Sequence, residues 1–406
     1  MRFIIVSQYA GSRKHGMVLR NYNWGKALVA LGHEVTIVAA SFSHSRNFQP
    51  ETQTAITEEY IDGIRYLWLK GMRYNPESYV MRIAAMVEFT LRFTFLSRRR
   101  LGAADVVVAS SPQPFVVYPA FFLASRLKAK RVFDVRDLWP LTLKKLGNVT
   151  SYNPFIWLMQ RAENFACRKC DVLTSVPRHA EPYFKQHGLR DGKFLSLPNG
   201  VLSLETAIEP LPEQHLKLIE DVKRRNGFIV GYAGALGKAN ALHGLLSALK
   251  AANERAHVVL VGRGPYLDSL KDQVAELGIE HRVHFLPPVK PDSVPEFLEK
   301  IDVAYIGLTR SDLFQYGASP TKLNDYMLAA KPVLYAVGDP ENPIEQSGGG
   351  ICCEAENVEE IAAAIDKFSN MPMELVQEMG GHGCKWLAEN HLLSTHMKRL
   401  IEKLEL

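Results

Sequence analysis

The stretch most able to do chemistry is Tyr316–Val333, YGASPTKLNDYMLAAKPV. Ser319 is a good N-cap and Pro320 is favoured at a first helical position, so the sequence predicts a helix start here. Such a start offers unpaired N–H groups and a partial positive charge, which suits an anion. Lys322 adds a full positive charge within the first turn, and Gly317 lets the approaching backbone come close to a ligand. Asp325 lies one turn further on, placed to accept hydrogen bonds from sugar hydroxyls. A diphosphate beside a ribose would use all of these features. An ordinary capped helix with a lysine reaching to solvent accounts for the same residues equally well.

Two further glycine-punctuated turns invite phosphate. Gly234-Ala235-Leu236-Gly237-Lys238-Ala239-Asn240 follows an apolar strand, and its small residues let backbone N–H groups approach an anion that Lys238 can neutralise. The spacing of Gly231, Gly234 and Gly237 is G-x-x-G-x-x-G, not that of the dinucleotide fingerprint, and no acidic residue ends the next strand. In Val261-Gly262-Arg263-Gly264-Pro265, Arg263 can stack on a base or meet a phosphate, with a plain tight turn as the alternative. Near the N-terminus, Ser7–Met17 is a basic, glycine-containing loop carrying Arg13, His15 and Gly16; it either leans over a ligand or is simply solvated. After another strand comes Arg136-Asp137-Leu138-Trp139-Pro140, at the strand end where open α/β sheets bind ligands. Asp134 and Asp137 can orient or deprotonate an acceptor hydroxyl, or cap a structural turn. Cys167 and Cys170 lack a second ligand pair for zinc and do not open a helix after a strand as a redox pair would, so they are expected to be structural.

These residues need strands and helices to position them. Short apolar strands alternate with amphipathic helices, the signature of parallel sheets in an α/β architecture. Strands are predicted at Arg2–Ser7, Glu34–Ala39, Asp105–Ala109, Arg131–Val135, Asp171–Ser175 and Lys193–Leu197, with a helix over Val18–Leu31. Leu204–Arg225 is charged and holds no strand candidate. The alternation then restarts at Phe228–Ala233, His257–Val261, Val283–Phe285, Val303–Ile306, Pro332–Ala336 and Gly350–Cys352. Two successive α/β units joined near residues 200–210 follow.

Composition bounds the rest. A length of 406 residues fits two domains, possibly three, and 47% hydrophobic with 22% charged residues is ordinary for a globular chain. The +5 net charge is too small for a dedicated nucleic-acid binder. Five cysteines exclude a disulfide scaffold. No signal-peptide core and no transmembrane run is read, so a cytoplasmic protein is expected and the triplet Asn148-Val149-Thr150 is an accidental glycosylation match. Tyr79–Arg100 stands apart: Arg82, Glu88, Arg92 and Arg99 fall within about 120° at about 100° per residue, and the remaining arc is largely apolar. This is either a core-facing helix with a narrow wet stripe, or a helix lying on an anionic membrane with Arg98, Arg99 and Arg100 on lipid headgroups.

Taken together, Gly32-His33-Glu34-Val35, Asp134–Pro140, Pro198-Asn199-Gly200-Val201, the Gly234–Asn240 turn, Gly262–Pro265 and Ser319-Pro320-Thr321-Lys322 with Asp325 resemble the family 4 glycosyltransferases, in particular the branch building bacterial surface polysaccharides. The resemblance runs over essentially the whole chain. It departs from the family at Gly317 and Asp325, where two glutamates are common, at Ala235, where many members have Arg, and at Arg136, which stands at the position of a catalytic-loop His.

The resemblance implies two Rossmann-like domains of the GT-B type with an interdomain cleft. Residues 1–203 would bind the acceptor, 204–385 the sugar nucleotide, and 386–406 would return to the first domain. It implies a retaining transfer of a hexosyl or N-acetylhexosaminyl group from a nucleoside-diphosphate sugar, UDP favoured. The acceptor would be a polyprenyl-diphosphate-linked saccharide, in O-antigen, capsule or exopolysaccharide synthesis at the inner membrane surface, with no metal, cofactor or nucleic acid. Gly16, Gly234, Ala235, Lys238, Arg263, Gly317, Ser319, Pro320, Thr321, Lys322 and Asp325 would hold the donor, with Asp325 on the ribose and Arg263 flanking the base. Arg13, His15, Arg136 and Asp137 would hold the acceptor, and Asp137, Lys322 and Lys238 would serve the chemistry. A sugar-nucleotide 2-epimerase and a non-catalytic homologue are the alternatives on the same fold.

Overall fold

The protein is described by a computed structural model covering residues 1–16, 19–145 and 152–405. The Asn148-Val149-Thr150 triplet and the first residue of the expected Val18–Leu31 helix lie outside the described residues. The chain forms two compact units, Met1–Leu202 with Leu392–Leu406, and Ser203–His391.

The first unit runs β1 (Arg2–Val6), α1 (Arg20–Ala30), β2 (Glu34–Ala40), β3 (Ile56–Ile61), β4 (Ile64–Leu69), α2 (Tyr79–Thr94), α3 (Arg98–Leu101), β5 (Val106–Ser110), α4 (Val117–Leu127), β6 (Lys130–Val135), α5 (Leu141–Lys145), α6 (Pro154–Lys169), β7 (Val172–Ser175), α7 (Glu181–Gln186) and β8 (Phe194–Ser196). Its sheet has the order β3-β4-β2-β1-β5-β6-β7-β8, parallel except for the β3–β4 pair. Near-continuous apolar runs such as RFIIV and VVVAS are buried, as strands covered on both faces must be. Trp24 and Leu28 of α1, Trp68 of β4, Ile5 of β1 and Val108 of β5 share one core.

The β3–β4 hairpin was not among the expected strands, although its signal is present. Asp62-Gly63 joins two runs in antiparallel register, with φ of 50° and 80°, the positive values a tight two-residue hairpin turn requires.

The second unit runs α8 (Glu213–Arg224), β9 (Phe228–Ala233), α9 (Leu242–Ala251), β10 (Ala256–Val261), α10 (Leu267–Leu277), β11 (Val283–Leu286), α11 (Val294–Lys300), β12 (Val303–Gly307), α12 (Thr321–Leu328), β13 (Val333–Ala336), α13 (Pro343–Ser347), β14 (Gly350–Cys353), α14 (Val358–Asn370) and α15 (Met373–Asn390). Its sheet is parallel throughout, in the order β11-β10-β9-β12-β13-β14. The strandless Leu204–Arg225 segment contains α8. Leu245, Leu249, Val258, Ile361 and Phe368 build the core.

The last helix, α16 (Leu393–Glu405), belongs to the first unit, where Met397, Leu400 and Leu404 join its core and the helix packs on α1. The expected start of this returning segment at residue 386 needs correction. Trp386 lies inside α15, its ring edge-to-face with His391, and the chain re-enters the first unit only at Leu392, which bridges to Val201.

Candidate functional site

In the second unit, the C-terminal ends of β9, β10 and β12 lie on the same edge of the parallel sheet, where such folds place ligands. Two glycine turns, after β9 and after β10, crowd together there. Gly234 has φ 149° and Gly262 has φ 157°, conformations that L side chains rarely adopt. A Cβ on Gly262 would stand 1.9 Å from the Gly234 carbonyl oxygen, and one on Gly264 2.2 Å from that of Leu236. The Leu236 amide donates to the Arg263 carbonyl (2.9 Å), tying the first turn to the second. Gly234, Ala235, Lys238 and Arg263 are thus gathered on two neighbouring turns, with Lys238 and Arg263 exposed.

Lys322 of α12 reaches the first of these turns. Its Nζ donates to the Tyr232 hydroxyl (2.8 Å) and to Asn240 Oδ1 (3.0 Å), and it sits 4.5 Å from the Tyr232 ring centroid. Tyr232 in turn donates to the Ala235 carbonyl (2.7 Å), which also accepts from Asn240 Nδ2 (3.0 Å). Gly234 is required by this arrangement, because a Cβ there would lie 2.3 Å from Lys322 Cε. One turn along the helix, the Tyr326 hydroxyl accepts from the Ala233 amide (3.2 Å), so α12 is fastened to the end of β9 at two points. Asn324 Oδ1 meets His391 Nδ1 (3.0 Å) on its other side.

Both partners of Lys322 are neutral. Burial lowers its ammonium group to about 8, and Asp325 only partly opposes the shift. Asp325 is exposed at its surface, yet surrounding protein raises its carboxyl to about 6, partly offset by Lys322. Desolvation disfavours each charged form, so the two groups sit together with unmet electrostatic demand. A diphosphate would meet the demand of the lysine.

One detail of the helix start differs from expectation. Pro320, not Ser319, is the N-cap, with φ −60° and ψ 129° and no side-chain cap, and the helix begins at Thr321. Proline fixes φ but leaves ψ free, and here ψ is extended, which moves the start by one residue. The amides of Thr321 and Lys322 still belong to the first turn, where intrahelical acceptors are missing. Before it, Gly317 has φ 89° and the Ala318 amide donates to Asp339 Oδ2 (3.0 Å). Sequence reasoning missed Tyr232 and Tyr326, which lie in an apolar strand and helix and read as core.

In the first unit the expected residues divide. Asp134 is fully buried, receiving Arg20 (2.9 Å), Ser110 (2.8 Å) and Thr174 (3.0 Å), while Arg20 also donates to the Leu197 carbonyl (2.9 Å). It is therefore a structural cross-tie between strands, not a group available to an acceptor hydroxyl. Asp137, two residues past β6, is exposed at its surface, yet surrounding protein raises its carboxyl, against the pull of Arg136 and Arg20. Burial lowers Arg136, whose amide donates to Ser111 Oγ (2.8 Å).

Arg13 is exposed on the short turn Arg13–His15, which Gly16 ends with φ 66°. His15 departs from the expected acceptor role. It is buried edge-to-face on Trp68, shares a hydrogen bond of 2.8 Å with Ser12 Oγ, and is lowered to about 4 by burial and then by Arg46. Its ring is an interior packing element, neutral at ordinary pH. Cys167 and Cys170 are buried free thiols that burial pushes up, consistent with a structural role. Among the described residues, no group of three or more His, Cys, Asp or Glu is placed to hold a metal ion. Among the same residues, no helix is long and apolar enough to cross a membrane.

Two α/β units, each built on a largely parallel sheet, are the architecture of the GT-B glycosyltransferase fold. Residues 217–386 match the family described as glycosyl transferases group 1, and residues 15–200 match the glycosyl transferase 4-like domain; the chain belongs with these glycosyltransferases. No curated protein matches it. Solved structures resemble it in fold over their full length. A sucrose-phosphate synthase from Thermosynechococcus elongatus is 15% identical with a TM-score of 0.72, covering 99% of this chain and 98% of that one. Anabaena HepE, in complex with UDP-glucose, is 16% identical with a TM-score of 0.66, over 100% and 99% of the chains. A UDP-forming alpha,alpha-trehalose-phosphate synthase from Burkholderia vietnamiensis is 13% identical with a TM-score of 0.70, over 100% of both.

Proposed function

We propose that the protein is a retaining glycosyltransferase that moves a hexosyl or N-acetylhexosaminyl group from a nucleoside-diphosphate sugar, UDP favoured, to a saccharide hydroxyl. The observation that carries the donor reading is the half-buried Lys322 ammonium, hydrogen-bonded by neutral groups beside glycine turns into which no side chain fits. Lys322, with the α12 start at Pro320-Thr321 and with Lys238, binds the diphosphate and stabilises charge developing on the leaving oxygen. Asp325 accepts from the ribose and Arg263 flanks the base. That HepE was solved with UDP-glucose, and that the trehalose-phosphate synthase is UDP-forming, supports UDP as the carrier.

In the first unit, Arg13, Arg136 and Asp137 serve the acceptor, with Asp137 orienting the attacking hydroxyl. The raised carboxyl of Asp137 suits a group that shares a proton with that hydroxyl. The acceptor is a saccharide on a polyprenyl diphosphate, in bacterial surface-polysaccharide assembly at the cytoplasmic face of the inner membrane. Support for this lies in the sequence resemblance and in the basic, aromatic surface of the first unit.

A thermal-unfolding panel of UDP-, GDP- and dTDP-sugars tests the donor reading. The preferred donor at a hundredfold excess over its Kd stabilises the fold by about 2.7 kcal/mol. A panel in which no nucleoside diphosphate raises the midpoint rejects it.

A further inference from the structure

The helix α2 lies where the sequence offers two readings, a core-facing helix or a helix on an anionic membrane, and its packing distinguishes an inward from an outward apolar side. Ala85, Met86, Phe89 and Phe93 turn inward. The arc expected to be wet is largely engaged: Glu88 accepts from the Met72 amide (2.7 Å) and from Arg92 Nε (2.9 Å), and Arg82 is half-buried. The outward stripe is apolar instead, at spacings of four, three, four and four residues through Val80, Ala84, Val87, Leu91 and Phe95. Val80 is 74% exposed and Phe95 82%.

This stripe does not stand alone. α2 packs on α4, and α4 on α6. Tyr79 of α2 also meets Phe155 of α6 edge-to-face, with ring centroids 5.7 Å apart. α4 exposes Phe122 and α6 exposes Trp157, at 60% and 56%. Each of these rings carries an arginine over its face: Arg126 at 4.7 Å from Phe122, and Arg161 at 4.7 Å from Trp157. Soluble monomers rarely leave so many large apolar side chains together on one layer.

The charge around the face is predominantly positive, with Glu77 just before α2 and Glu58, which feels Arg100, the acids at its margin. Arg98, Arg99 and Arg100 of α3 are exposed just beyond Phe95. α3 and α4 contain no acidic residue. The one acid of α2, Glu88, is paired with Arg92, and the one acid of α6, Glu163, is buried and accepts from the Tyr183 hydroxyl (2.8 Å). Guanidinium groups over aromatic rings, beside protruding aliphatic side chains, match an interface whose headgroups are anionic and whose next layer is hydrocarbon.

We infer that the outer face of α2, α4 and α6, with the Arg98–Arg100 cluster, docks the protein on an anionic lipid surface, Leu91, Phe95, Phe122 and Trp157 entering the interface and the arginines binding headgroup phosphates. The inference deepens the membrane part of the proposed function and rests on it for its purpose, while lipid binding is measurable by itself.

Flotation of the full chain compares vesicles of phosphatidylcholine with vesicles containing about one-third phosphatidylglycerol. The protein floats with the acidic vesicles and loses them as salt rises. Arg98→Glu/Arg99→Glu/Arg100→Glu lowers that partition about a hundredfold. Leu91→Ser/Phe95→Ser lowers it at all salt concentrations. Both variants change exposed side chains only, and circular dichroism confirms that they fold. Equal behaviour on both vesicles, or unchanged flotation of both variants, overturns the inference. So does a dimer of the parent chain in sedimentation that Leu91→Ser/Phe95→Ser dissociates, because the face then belongs to a second copy. UDP-sugar binding by the same variants keeps the two readings apart. Loss of lipid with retained nucleotide binding leaves the donor site standing, and flotation without any nucleotide binding leaves the docking face standing.

Discussion

Two buried cations, one in each unit, show how similar ingredients take opposite roles. Arg20 stands at the start of α1 with its guanidinium against the Asp134 carboxylate, and carbonyls of the Leu197-Pro198 turn take its remaining N–H groups. Among the described residues, Lys322 at the start of α12 hydrogen-bonds only a phenol and an amide oxygen, and Asp325 offsets its desolvation only in part. The first cation is paired with a carboxylate within the fold. The second has no such ion pair, and on the proposed function an incoming anion supplies it. On that reading, what separates a structural cross-tie from a binding site is whether the charge is already answered, not how deeply it lies.

The largest expected effect breaks the closed pair. Arg20→Met leaves the Asp134 carboxylate buried without its counter-charge and costs about 3–5 kcal/mol of stability by denaturant unfolding. Adding Asp134→Asn restores part of the loss, because the uncompensated charge is gone. If Arg20→Met unfolds like the parent, the cross-tie assignment falls.

The same change at the open site has the reverse profile. Lys322→Ala leaves the unfolding midpoint nearly unchanged, since the desolvation cost of a half-buried charge disappears along with its two hydrogen bonds. It lowers kcat for sugar transfer by about 10²–10³-fold, the range for removing one donor aimed at developing charge. Transfer at the parent rate would show that the phosphate is held elsewhere.

How much of this contrast the sequence shows depends on separation along the chain. Most strands with continuous apolar runs are legible to within a residue or two, because burial on both faces is written locally: Phe228–Ala233 reads as a strand and is β9, whereas the apolar Ile64–Leu69 run of β4 is not among the expected strands. The turns after β9 and β10 were equally legible, since closely approaching backbones demand glycine and glycine is visible. The Asp62-Gly63 turn is a hairpin signal, but its first strand Ile56–Ile61 mixes charged with apolar residues, as a half-exposed edge strand does, and gives no continuous apolar run. The pairing of each cation was not legible. Arg20 and Asp134 are 114 positions apart, and Lys322 and Tyr232 are 90. Nothing local distinguishes an arginine that will form a buried ion pair from a lysine that will bond only neutral groups, and which apolar side of α2 turns outward is undecided in the sequence for the same reason.

The smallest expected effect concerns how closely Lys322 is balanced. Its ordinary value of 10.5 falls to about 8, so between these values the unfolded chain holds a proton that the folded chain lacks, and stability rises as pH rises through that window. Asp325 moves from 3.8 to about 6, so between these values the folded chain holds the extra proton, and stability falls as pH rises from 3.8 to 6. Between about 6 and 8 both groups are charged and neither has given up its desolvation cost, so this is where the site gains most from an anion. Nucleoside-diphosphate affinity, measured calorimetrically, is therefore expected to hold up to pH 8 and to decline above it as the ammonium loses its proton. Tyr232→Phe sharpens the test. Among the described residues the phenol oxygen is one of two hydrogen-bond acceptors of the ammonium, and its loss moves the midpoint of the decline below 8. The variant then binds several-fold more weakly at pH 8 but nearly like the parent at pH 6.5, where the lysine is protonated in both. An equal loss at both pH values would mean that Tyr232 shapes the turn through the Ala235 carbonyl and leaves the lysine charge alone.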